Sequence, residues 1–203
     1  MTIKHLLVRV SGGLALTGVL FYFLVAAVLQ FLRPDYSFMG TPLSFYLLGP
    51  YSGWLHAAFY ALAIAIASLA VGCYFASAPQ ARSAAALVLF ILGAAGVVVT
   101  ALASTDTSDK LSVHGAIHLL AAVVAFIATS SGMLIQSWRF RQDPNWRKRF
   151  RPALQLAAFE FLVLLIYTLA HIPASGFMEK LTIVLILLWL GQVAVWLSVP
   201  RHV

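Results

Sequence analysis

Six apolar runs, each about as long as a bilayer crossing, leave this chain few folds to choose from. They fall at about 10–32, 53–77, 84–104, 112–137, 152–172 and 179–199. A run of roughly 20 apolar residues is the length of a membrane-spanning helix. The expected fold class is therefore all-α: a polytopic integral membrane bundle of six transmembrane helices, forming a single domain over 1–203. Apolar residues make up 62% of the sequence and charged residues 9%. Soluble domains sit near half apolar and a quarter charged, so the solvent for this chain is the bilayer.

The net charge of +7 invites a nucleic-acid reading. The positions of the charges exclude it, because they flank apolar runs and gather on one side of the bundle, as orientation and lipid-contact signals do. With the N-terminus inside, the inner segments hold ten basic residues and the outer segments hold three, Arg33, Lys110 and Lys180. That bias predicts an N-in, C-in topology. The first run follows Lys4 and Arg9, is longer than a signal-peptide core, and is expected to be retained. Cys73 has no partner for an intrachain disulfide and reads as a small core residue.

The connections carry their own signals. Residues 33–53 contain three prolines and three glycines, which argues against a spanning helix. Tyr36, Phe38, Phe45, Tyr46, Tyr51 and Trp54 suit the headgroup level. The piece from Leu43 to Leu48 is expected to be an interfacial turn folded over the helix ends. The 138–152 connection holds the densest basic run, flanked by Trp138 and Trp146. Gly12, Gly13 and Gly18 in the first run, and Gly93 and Gly96 in the third, leave room for close helix contact.

The most informative stretch is Thr105 to His118, reading TDTSDKLSVHGAIH. It sets Asp106 and Asp109 just ahead of His114 and His118. Four residues apart on a helix, the two imidazoles project from one face about a turn apart. Topology adds His56 at the outer end of the second helix and His171 at the outer end of the fifth. Four histidines and several carboxylates thus fall in one layer. His114, His118, His56 and His171 are candidate metal ligands, with Asp106 as a further ligand or an orienting carboxylate. Against this, a single histidine near a helix end more often bonds a neighbouring backbone. Glu160, deep in the fifth helix, shares a face with Leu164, Tyr167 and His171, and could line a proton path or the deep wall of a pocket. The bland alternative is a protonated Glu160 bonded to a neighbouring helix.

Arg33-Pro-Asp-Tyr, the stretch from Pro42 to Trp54, and Asp106 with His114-Gly-Ala-Ile-His118 together resemble the bacterial six-helix membrane family catalogued as domain of unknown function 998. The resemblance covers most of the chain and implies a six-helix fold in the bacterial inner membrane. A looser likeness is to transmembrane hydrolases of the alkaline-ceramidase type, which differ in helix number and motif order. That likeness implies zinc held by His114, His118 and one of His56 or His171, with Asp106 and Ser44 as accessory catalytic groups.

Three functions compete. One is a zinc-assisted hydrolase acting on a lipid or lipid-linked substrate, with Asp106 as base or orienter. The second is a non-enzymatic accessory subunit of a membrane protein partner, or a lipid-binding module. The third is a haem or quinone protein, with His56 facing His114 or His118 as axial ligands.

Overall fold

The computed structural model describes residues 2–107, 110–169 and 175–199. Six helices long and apolar enough to span a bilayer are present in it. They are α1 (Ile3–Leu32), α2 (Ser52–Ala76), α3 (Ala84–Leu102), α4 (Val113–Phe140), α5 (Phe150–Leu169) and α6 (Ser175–Ser198). Short 3₁₀ turns occupy Leu43–Leu47, Pro79–Ala81 and Arg147–Arg149. No strand occurs among the described residues.

Two helices begin earlier than the hydropathy suggests, and each has a local cause. The Thr2 side chain accepts from the backbone N–H of His5 (3.4 Å), which caps α1 ahead of its apolar run. α6 starts at Ser175, because its first turn docks on the 33–51 connection. There the Phe177 N–H donates to the Met39 carbonyl (2.9 Å).

Each helix packs against its sequence neighbours, and α6 closes the circuit on α1. The result is a ring of six antiparallel neighbours. Close packing is made possible by small residues. A Cβ on Gly18 would lie 2.5 Å from the Ala61 carbonyl oxygen of α2, and one on Gly96 would lie 2.8 Å from the Ala125 nitrogen of α4. Without a strong hydrophobic drive between helices in lipid, such close approach supplies the dispersion contacts that hold the ring.

The two ends of the ring differ in chemistry. One carries the N-terminus and the 77–83 and 141–149 connections, with most of the basic residues. Its loops are tied together by Asp143, which is fully buried and accepts from the Ala78 N–H (2.8 Å) and the Asn145 N–H (2.9 Å). Arg139 donates to the Gln80 (2.8 Å), Ala81 (3.2 Å) and Arg82 (3.0 Å) carbonyls. The other end carries the 33–51 and 103–112 connections and the start of α6.

The glycine contacts give a direct test. Gly18→Ala should lower unfolding stability in detergent by about 1–3 kcal/mol through overpacking. Gly13 has nothing within 4 Å of an added Cβ, so Gly13→Ala should leave stability unchanged or raise it by up to about 1 kcal/mol. Equal losses for the two variants would contradict the packing described.

Candidate functional site

The ring encloses a cavity of ≈ 380 Å³ at the end opposite the basic loops, lined by residues from all six helices. Its body is apolar: Phe59, Leu62 and Ile66 of α2, Val97 of α3, Phe126 of α4 and Ile186 of α6. Its polar end is built by Ser44, Thr105, Asp106, His118, Tyr167 and Glu179. Leu119, Val123 and Ile127 also line it, and all three are exposed on α4. At four-residue intervals they form one stripe, so the cavity reaches the outer surface of the bundle along that helix.

Asp106 is positioned by the start of α4. Its Oδ2 accepts from the Ser112 N–H (2.7 Å) and its Oδ1 from the Ser112 hydroxyl (2.7 Å). Ser112 is itself the N-cap, and its Oγ accepts from the Gly115 N–H (3.0 Å). The carboxylate therefore sits at the positive end of the α4 dipole. The Ser112 hydroxyl and then its N–H hold Asp106 below the ordinary carboxylate range, with weaker help from His114 and His118. Gly115 is required here, since a Cβ at that position would collide with the Asp106 carboxylate.

His118 is buried, and its Nδ1 lies 2.9 Å from the Ala103 carbonyl at the end of α3. A carbonyl only accepts, so Nδ1 carries a proton, and in the neutral imidazole it is Nε2 that keeps a lone pair. The imidazole thus satisfies one of the free carbonyls of α3 and contributes an acceptor to the site.

The first turn of α6 holds the 33–51 connection over the cavity. Glu179 Oε1 accepts from the Leu43 N–H (3.1 Å), and Glu179 Oε2 from the Tyr167 hydroxyl (3.5 Å). Lys180 Nζ donates to the Phe38 (2.8 Å) and Thr41 (3.0 Å) carbonyls. Gly176 allows this approach, because a Cβ there would press on the Thr41 backbone. Arg33 closes the far side through Asp35 (2.7 Å) and the Leu48 carbonyl (2.8 Å). The turn carrying Ser44 is therefore a fixed cover.

The residues expected from the sequence separate into two groups. Asp106, His118 and Ser44 all line the cavity. His114 is exposed and lies off the wall, four residues above His118 on the same helix, or roughly 6 Å along its axis. His56 is half-buried, also off the wall, with Nδ1 turned to the Ser52 carbonyl of its own helix (2.8 Å). His171 and Asp109 lie outside the described residues. Glu160 is fully buried off the wall, with Oε1 accepting from the Ser130 hydroxyl of α4 (2.8 Å) and Oε2 without a partner. Its partner on a neighbouring helix is thus Ser130. Among the described residues no three His, Cys, Asp or Glu side chains gather closely enough to hold a metal ion. Neither His56 nor His114 reaches the wall.

Glu179 and Lys180 also belong to this end, Glu179 on the cavity wall and Lys180 against the cover. Their signal in the sequence is two adjacent charges at the head of an apolar run, where burial is costly without partners.

A polar-ended cavity inside a ring of membrane-spanning helices defines an integral membrane protein with an internal site. A family model described as "Protein of unknown function (DUF998)" matches residues 16–196, and the chain belongs to that family. No curated protein and no solved structure matches it.

The Asp106 geometry carries a pH signature. Its folded-state value lies below the ordinary 3.8, so its stabilisation is present above that value and is lost as pH falls through the folded value. Thermal melts from about pH 6 down to about pH 2 should fall more steeply for the native protein than for Asp106→Asn. Parallel slopes would show that the carboxylate does not hold the start of α4.

Proposed function

We propose that this protein holds an amphiphile inside the ring of helices, with its chain among α2, α4 and α6 and its head group beside Asp106, His118 and Ser44. The observation that carries this reading is the internal cavity, apolar along its body and polar at one end. Its volume falls in the range of small-molecule sites, roughly 300–1,000 Å³. The exposed stripe of Leu119, Val123 and Ile127 supports entry from the surrounding lipid. The ten-to-three bias of basic residues supports a cytosolic basic end, so that in a bacterial inner membrane the head group would lie at the outer side. This is the lipid-binding function among those the sequence suggested, alone or beside a membrane protein partner.

One observation favours hydrolysis of a lipid or lipid-linked substrate as a second reading. His118 presents an Nε2 lone pair to the same cavity as the ionised Asp106 and the Ser44 hydroxyl. An imidazole in that state is a proton acceptor suited to general-base work.

Filling the cavity tests the first reading. Val123→Trp should reduce the lipid-like molecules retained by protein purified in mild detergent several-fold, as read by native mass spectrometry. Retention equal to that of the native protein would overturn it. For the second reading, native protein and His118→Gln are incubated with extracted membrane lipid. Turnover by the native protein that His118→Gln loses supports hydrolysis; no difference between the two ends it.

A further inference from the structure

The charged groups at the polar end of the cavity are unbalanced in sign. Asp106 and Glu179 bring carboxyl groups to the wall, and His118 brings a ring nitrogen with a lone pair. No Lys or Arg lines the cavity among the described residues. Three cations lie at this end of the bundle and each is directed elsewhere. Arg33 is engaged by Asp35 and the Leu48 and Pro50 carbonyls. Lys180 is engaged by the Phe38 and Thr41 carbonyls and lies over the Phe38 ring at 4.8 Å. Lys110 is exposed and off the wall.

A helix N-terminus is the feature that most often attracts an anion where no cation is present. The start of α4 is at the wall, but Asp106 already accepts from both the Ser112 N–H and the Ser112 hydroxyl. An anionic head group arriving there would meet a carboxylate where it needs donors. Desolvating two like charges side by side is costly, whereas a cationic donor would gain both charge and hydrogen bonds.

From this arrangement we infer that the cavity selects an amphiphile with a positively charged, hydrogen-bond-donating head, an alkylammonium in place of a phosphate or carboxylate. The inference rests on the reading of the cavity as an amphiphile site. Asp106 is the principal partner of the ammonium, His118 Nε2 accepts a second of its N–H bonds, and the chain runs toward Phe126 and Ile186. An ammonium can donate three such bonds, which matches the Asp106 and His118 acceptors better than a hydroxyl head can.

Four probes of equal chain length test this: dodecylammonium, dodecanol, dodecyl phosphate and dodecanoate. Each is titrated into the full chain in nanodiscs made of zwitterionic lipid, with binding read by calorimetry. Dodecylammonium should bind at least about tenfold more tightly than dodecyl phosphate, a difference of about 1.4 kcal/mol. Asp106→Asn should shrink that preference several-fold, with Glu179→Gln as the second variant should the first fail to fold. Val123→Trp should weaken dodecylammonium binding, which separates the cavity from adsorption to the bilayer. Equal binding of the four heads, a preference for the anions, or dodecylammonium binding unaffected by Val123→Trp would overturn the head-group inference. Failure of all four chains to bind would instead overturn the amphiphile reading beneath it.

Discussion

The hydrocarbon solvent imposes one constraint from which the rest of the architecture follows. Every backbone N–H and C=O held within the bundle must find its partner inside the protein. Helices satisfy the backbone along each span, but their ends leave free N–H and C=O groups. At the cavity end these orphans recruit the polar side chains. Asp106 and Ser112 satisfy the start of α4, His118 satisfies the Ala103 carbonyl at the end of α3, and Glu179 satisfies the start of the 3₁₀ turn. The site is thus built from groups that the fold already needs for its helix ends.

The same physics explains why there is space between them. Small residues draw α1 toward α2 and α3 toward α4 until backbones touch, as Gly18 and Gly96 show. The α5 span buries a smaller share of itself than any other span. A ring drawn tight on one side and loose at α5 leaves a void. Residues that line it, such as Phe59 and Phe126, keep it apolar, while the cover carrying Ser44 closes its polar end. That cover is held from below by Lys180 and Glu179, so its position is set by α6 as much as by its own sequence.

Hydropathy made the six spans legible, because run length and charge are local properties. The boundaries of α1 and α6 were less so, since a Thr2 cap and a docking contact at Met39 are not visible in mean apolarity. Topology drew Asp106 and His118 to one end of the bundle, whereas Ser44 entered only through the likeness to transmembrane hydrolases. The difference between His114 and His118 was not legible. Both share a helical face, and only the depth at which Ala103 ends α3 decides which ring turns inward. His56 was unreadable for a similar reason: a carbonyl of its own helix competes for its ring. Glu160 stood out in the sequence as a carboxyl within an apolar span; it lies off the cavity wall, and its carboxyl bonds Ser130.

At the centre of the account is an open, lipid-reachable chamber whose polar end is assembled by helix termini. Single-particle imaging of the protein in nanodiscs examines it most directly. The account predicts elongated density inside the ring, continuous with lipid past Val123 and ending beside Asp106 and His118. A ring collapsed with α5 sealed against α4, and His118 turned toward lipid, would contradict it.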